Sequence, residues 1–143
     1  MQTTTSLADL FGEPIHTYTR AQSIEDGQLI DVSTTAREAG IVWPVALTAA
    51  AWADCVSWSD ATEKRKGYTG QSESGRLWDV LVMARIAIRA MARVPGQQAR
   101  IFGVLRTPHE GRARVPRMAR LVLAVGPDDQ GMPCITVLLP GED

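Results

Sequence analysis

The hydrophobic pattern changes period in the C-terminal third of the chain, and that change most limits the folds available to it. Over Gly75–Arg93 apolar residues recur every three or four positions, as on the buried face of an α-helix. The residues that carry this spacing are Leu77, Val80, Leu81, Ala84, Ile88 and Met91. The pattern then becomes that of strands, over Arg100–Arg106, Met118–Val125 and Pro133–Leu139. This order predicts an α+β fold with one long helix packed on a three-stranded antiparallel sheet.

The N-terminal half alternates several short elements with turn signals. A capping-box pattern begins at Thr19, so a short helix is predicted over Arg20–Asp26. The elements predicted next are a strand at Leu29–Val32, a helix ending at Ala39, an extended segment at Ile41–Leu47 and a helix from Ala49 to about Ser57. The polar, glycine-rich stretch 59–74 is predicted to be a flexible loop, and residues 1–8 a disordered cap. No linker is evident, so we expect a single domain over residues 1–143.

Composition excludes several classes of protein. The net charge is −1, and no apolar run approaches the roughly 18 residues that a membrane span needs. The N-terminus lacks the basic start and apolar segment of a secretory signal, so a cytoplasmic protein is expected. Cys55 and Cys134 lie in apolar runs and are predicted to be buried free thiols. Since His16 and His109 are the only histidines, neither a metal site nor a cofactor is predicted.

Positive charge is concentrated in the second half of the chain. Nine arginines and one acid lie between Arg85 and Arg120. The arginines predicted to contact a partner are Arg85, Arg89, Arg93, Arg106, Arg112 and Arg114. The first three are spaced four residues apart and form one stripe on the predicted long helix. Such arginines can meet phosphates or an acidic protein surface, but a solvated face explains the same pattern.

Four tryptophans stand out in a chain with only two tyrosines and two phenylalanines. Trp58 lies beside the polar stretch and is predicted to be partly exposed and to contact a partner, because exposed tryptophan is enriched in binding hot spots. Trp43 precedes a proline and is also expected to be partly exposed. Trp52 and Trp78 lie on predicted helices, and core packing is expected for both.

Two histidines keep an enzymatic interpretation open. His16, with Glu13 nearby, can supply acid–base chemistry, or it can simply pack before the first helix. His109 lies among arginines in a turn between predicted strands, an arrangement typical of small ribonuclease toxins. A solvated hairpin tip without chemistry explains that turn equally well. The spacing of these residues is not diagnostic of any reaction.

Several segments carry a resemblance to a known family. They read LFGEPIHTYTRAQSIEDG, LIDVSTTAREAG, PVALTAAAWADCV, GRLWDVLVMAR and ITVLLPGED. Together they resemble an uncharacterised family of small proteins encoded on bacterial plasmids, integrative elements and prophages. The resemblance covers nearly the whole chain and implies neither an activity nor a role for any residue. It implies a context in which small proteins regulate the mobile element or block host defences such as restriction or CRISPR interference.

We therefore expect a non-enzymatic mobile-element protein that binds a host protein complex, possibly a CRISPR–Cas component, and inhibits host defence in the manner of an anti-CRISPR protein. A small phosphodiester-cleaving enzyme is one alternative. A nucleic-acid-binding regulator is another, although the net charge of −1 is unlike that of a committed nucleic-acid binder. A homodimer also stays open, because the exposed edge of the predicted sheet invites pairing.

Overall fold

A five-stranded mixed sheet forms the centre of the computed structural model, which describes residues 19–142. Its strands are β1 (Leu29–Asp31), β2 (Val45–Thr48), β3 (Ala99–Arg106), β4 (Arg117–Pro127) and β5 (Pro133–Leu138). Their spatial order is β1-β2-β5-β4-β3. Strands β2 and β5 run parallel, and all other neighbouring pairs are antiparallel. The architecture is α+β.

Five helices occur in the part of the chain that the structure describes. They are α1 (Arg20–Glu25), α2 (Ser33–Glu38), α3 (Ala49–Cys55), α4 (Asp60–Arg65) and α5 (Glu73–Met91). The capping box predicted at Thr19 is confirmed, since its side chain accepts a hydrogen bond from the backbone N–H of Gln22. None of the described helices is long and apolar enough to cross a membrane.

The predicted three-stranded antiparallel sheet with one long helix on it is wrong. Strands β1 and β2 join the sheet from the N-terminal half, and Val45 of β2 is the register partner of Ile135 of β5. Val45, Ala46 and Leu47 are all fully buried, so β2 is covered on both faces. A strand buried in this way shows a continuous apolar run instead of an alternating one, so its sequence predicts only an extended segment.

Helix α5 packs on one face of the sheet, and the predicted apolar face of this helix is confirmed except at Ile88, which is only partly buried. Its buried apolar residues are Leu77, Val80, Leu81, Ala84, Ala87 and Met91. They meet the alternating buried residues of the strands, which include Phe102 and Val104 of β3 and Leu121 and Leu123 of β4. The helix begins two positions before the predicted Gly75, because the Ser72 hydroxyl accepts a hydrogen bond from the backbone N–H of Gly75 at 3.1 Å.

Part of the stretch predicted as a loop is helical. Helix α4 occupies residues 60–65 and is capped by the Ser59 hydroxyl, which accepts from the Thr62 N–H. Acidic residues lie in its first turn and basic residues in its last, an order that complements the helix dipole. The prediction for residues 1–8 lies outside the described residues.

Candidate functional site

Two apolar clefts meet at the side chain of Trp43. The larger, of about 410 Å³, lies between the end of α5 and the connection from β4 to β5. The smaller, of about 220 Å³, lies between α5 and the loop that follows α2. Trp43 and Ile88 line both clefts, so the two form one groove, called here the Trp43 groove. Its main lining residues are Gly40, Ile41, Val42, Trp43, Arg85, Ile88, Arg89, Met91, Val125 and Pro133.

The loop that carries Trp43 is attached to the middle of the sheet. The carbonyl oxygen of Pro44 accepts a hydrogen bond from the backbone N–H of Ile135 at 2.8 Å. Trp43 is 39% exposed and Val42 is 80% exposed, which confirms the predicted partial exposure of Trp43. A single exposed apolar side chain is ordinary, whereas adjacent exposed apolar residues on a groove are a common feature of interaction surfaces.

Arginines form one rim of this groove. Gly40 has a φ of +94°, and a Cβ at this position would lie 2.9 Å from Nε of Arg85. The missing side chain therefore lets the Arg85 guanidinium lie against the loop. Arg89 lines the same cleft, whereas Arg93 lies beyond the last residue of α5. None of the described residues that line the groove is acidic, so its rim is positively charged.

A second basic region lies in the loop that joins β3 to β4, and two side chains at the end of α4 hold it. Nζ of Lys66 donates to the carbonyl oxygens of Pro108, Glu110 and Ala113, the last at 2.5 Å. The Arg65 guanidinium donates to two more carbonyls of this loop, those of His109 (2.6 Å) and Gly111 (2.8 Å). We call this arrangement the carbonyl clasp.

Lys66 is only 3% exposed, so it is a buried ammonium group, and no carboxylate among residues 19–142 forms an ion pair with it. Burial lowers the pKa of Lys66, and the positive charges of Arg65, Arg76 and Arg117 lower it further. The carbonyl oxygens oppose this effect, because they are hydrogen-bond acceptors for the charged form. The clasp thus combines an unfavourable burial of charge with several charge-assisted hydrogen bonds.

Trp58 lies under this clasp, and its predicted partial exposure is wrong. It is 7% exposed, and its ring lies 4.7 Å from the guanidinium carbon of Arg76 and 5.9 Å from Nζ of Lys66. Its indole N–H donates to the Glu63 carboxylate at 3.1 Å. Helix α4 therefore covers the ring and supplies both a cation and an acceptor. Trp58 presents little surface to a partner.

Arg76 is a residue whose role the sequence analysis missed. Although it is charged, it is only 3% exposed, and it donates to the carbonyls of Val56 at 3.0 Å and Thr107 at 2.7 Å. These bonds join α3, α5 and the end of β3. A signal was present, because Arg76 lies four residues before Val80 and thus on the buried face of the long helix.

Arg106 lies on the side of a third cleft, of about 380 Å³, together with Asp54, His109 and Glu110. It forms an ion pair with Asp54 at 3.0 Å, so its charge is already matched within the chain. The cleft brings together the ionisable residues on which the enzymatic interpretation of His109 depends. His16, the other histidine, lies outside the described residues.

The predicted arginine surface is divided in the structure. Arg76 contacts Thr107 near the start of α5, whereas Arg85 and Arg89 lie toward its other end. Residues 76 to 89 of a helix span roughly 20 Å at 1.5 Å per residue. Arg112 and Arg114, which are exposed in the β3–β4 loop, are therefore far from the Trp43 groove. A partner that used all the predicted arginines would have to span both regions.

Both cysteines are buried free thiols, as predicted. Burial, and next the neighbouring carboxylate of Asp54, raises the pKa of Cys55 to about 12. Burial also raises the pKa of Cys134. The native protein thus retains the Cys55 proton at pH values where an ordinary thiol, with a pKa of 9.0, loses it. Since the thiolate is the reactive form, both thiols are protected in the fold.

We expect the folded protein at pH 8 to react with a chromogenic disulfide reagent at least about tenfold more slowly than the urea-unfolded protein. The measurement is the absorbance of the released thiolate with time, and the unfolded sample gives the signal for both cysteines. Rapid reaction of one full equivalent in the folded sample would contradict the burial of the thiols.

Comparison with known proteins identifies the family but no activity. No curated protein and no solved structure matches the chain. The model of a family of unknown function, DUF6573, matches residues 9–143. Because this match includes every described strand and helix, the chain belongs to the family of unknown function DUF6573.

Proposed function

We propose that this protein is a non-enzymatic binding protein that inhibits a partner protein by occupying it through the Trp43 groove. The observation that carries the proposal is the meeting of two apolar clefts at a partly exposed tryptophan, beside a rim formed by Arg85 and Arg89. A segment with an apolar side chain for the groove and carboxylates for the rim fits this surface.

The groove is suited to bind without large rearrangement. The Trp43 loop is hydrogen-bonded to β5 through Pro44, and Arg85 is packed over Gly40. A preformed surface loses less conformational freedom on binding, so more of the contact free energy remains as affinity. The exposed part of the indole ring supplies apolar area, and the arginines steer an acidic segment toward it.

The proposed partner is a component of a host defence complex of the CRISPR–Cas kind, bound in the cytoplasm. Support comes from the resemblance to small proteins of plasmids, integrative elements and prophages, which implies a context in which such proteins regulate the element or block host defences. The proposed mechanism is occlusion, in which the bound chain covers an acidic and apolar surface that the complex needs for its own contacts. This mechanism requires no chemistry from His109 or from the cleft around Arg106.

Reversing both rim charges in an R85E/R89E variant is expected to weaken partner binding by about 10- to 100-fold, because two favourable ion contacts become repulsive. Trp43→Ala is expected to have an effect of the same order, since it removes the apolar anchor. The tagged protein is used to capture its partner from host lysate with and without nuclease treatment. The affinity for that purified partner is then measured by calorimetry.

The matched control is R112E/R114E, which reverses two exposed arginines of the β3–β4 loop and leaves the groove intact. We expect this variant to bind as the wild type does. If the loop variant loses the partner while R85E/R89E and Trp43→Ala retain it, the binding surface is the loop and the groove proposal is wrong. Recovery that depends on nucleic acid would instead support the regulator interpretation.

A further inference from the structure

Strand β3 lies at one edge of the sheet. It pairs with β4 on one side, and no strand of residues 19–142 pairs with its other side. The backbone N–H of Val125 donates to the carbonyl of Gln98 at 2.8 Å, so Gln98 directs its backbone groups toward β4. Backbone direction alternates along an antiparallel strand. The N–H and C=O groups of Ala99, Ile101, Gly103 and Leu105 therefore point to the open edge.

The side chains of these same residues lie on the face of the sheet opposite α5. Phe102 and Val104 are buried against the helix, so Ile101 and Leu105 lie on the other face, where they are 60% and 59% exposed. Met118, the register partner of Leu105 on β4, is 63% exposed. Natural sheets protect open edges with charged residues, prolines or bulges. On the face opposite α5, β3 carries none of these, and its two charged residues, Arg100 and Arg106, lie on the helix face.

We propose that two copies of this chain pair through β3, antiparallel, about a two-fold axis at Gly103. The occupant of the edge is thus a second copy, and the product is one continuous ten-stranded sheet. In this register Ile101 of each copy lies opposite Leu105 of the other. The proposal does not depend on the Trp43 groove.

Backbone hydrogen bonding and the packing of apolar side chains across the two strands together select this register. Only shifts by two residues preserve the hydrogen-bonding pattern, and the neighbouring registers place either Ile101 or Leu105 opposite Gly103, with no side chain to pack against. The register centred on Gly103 instead forms two apolar cross-strand pairs and about six backbone hydrogen bonds. It also keeps the exposed apolar residues of both copies on the same face.

One detail of the structure agrees with this axis, and a second opposes it only weakly. A Cβ at Gly103 would lie 2.6 Å from the sulfur of Met118, so Met118 lies over the glycine and extends the apolar patch at the axis. The register also places Arg100 opposite the partner's Arg106, where like charges would repel. Arg106, however, is paired with Asp54 at 3.0 Å within its own chain, which reduces that repulsion.

The register is tested by crosslinking Ile101→Cys and Leu105→Cys proteins. Under mild oxidation, an equimolar mixture of the two variants is expected to form covalent dimer at least about tenfold faster than either variant alone, because directly opposed residues lie within disulfide reach. In either variant alone the two cysteines lie four residues apart along the paired strands, roughly 13 Å, which is too far for a bond. The native cysteines are buried and do not interfere.

Sedimentation equilibrium gives an independent measurement. The wild type is expected to be a dimer, Leu105→Lys a monomer, and Val115→Lys, which changes a residue 63% exposed in the β3–β4 loop, a dimer. Far-UV circular dichroism verifies that each variant is folded. A monomeric wild type, a dimeric Leu105→Lys variant, or equal crosslinking in the single-variant samples would overturn the proposal.

Discussion

Replacement of Lys66 by methionine is expected to lower the free energy of unfolding by about 3 kcal/mol. The charge-assisted hydrogen bonds from Nζ are lost, and the carbonyl oxygens of Pro108, Glu110 and Ala113 lose this donor. Methionine preserves most of the apolar stem, so the loss reports on the ammonium group and not on packing. The measurement is urea denaturation followed by far-UV circular dichroism. Trypsin cleavage after Arg112 and Arg114 should also become faster, since the clasp is what holds the β3–β4 loop.

The matched control for this variant is Lys64→Met, two residues earlier in α4. Lys64 is exposed and donates no hydrogen bond to the loop among the described contacts, so we expect a change within about 0.5 kcal/mol. Equal effects of the two substitutions would mean that the carbonyl clasp contributes nothing to stability.

Trp58→Ala is expected to lower the free energy of unfolding by about 4 kcal/mol, as large-to-small substitutions of buried aromatic residues do. Arg76 and Lys66 also lie over this ring, so its removal leaves two buried cations without the aromatic face that they contact. Trp58→Phe should lose less, since it keeps an aromatic face but not the donor to Glu63. Denaturation is followed by circular dichroism, because these substitutions alter the fluorescence itself.

Trp78→Ala serves as the comparison for Trp58→Ala, since it removes the same side chain from a position that is 42% exposed. It is expected to lower stability by less than about 1 kcal/mol. Similar losses for the two tryptophans would show that the burial of Trp58 does not stabilise the fold. Below its unfolding transition, Trp58→Ala should still bind a partner through the Trp43 groove.

The long helix and the last three strands could be predicted because their patterns are local. The apolar positions of α5 recur within the helix itself, and the three later strands follow one another along the chain. The pairing of β2 with β5 could not be predicted in this way. Val45 and Ile135 are distant in sequence, and a strand buried on both faces has no alternation that would identify it.

Charge and aromatic patterns identified residues but not their surroundings. Arg76, Arg85 and Arg106 look alike in the sequence, yet one is buried beside Trp58, one lies on the groove rim and one is paired with Asp54. Trp78, expected in the core, is 42% exposed. The Trp43 groove itself depends on the convergence of α5, β5 and the loop after α2, which no local pattern records.

The position of β5 bears on how the chain folds as it is synthesised. Ile135 is the register partner of both Val45 on β2 and Val125 on β4, so β5 is the strand that joins the two halves of the sheet. It is also the last strand of the described residues to leave the ribosome. Until it emerges, the pair β1–β2 and the pair β3–β4 have no strand between them, and the strand edges that β5 covers stay open. The sheet is therefore completed only after β5 has emerged, and the interval before that is when the chain is most open to chaperones, proteases and aggregation.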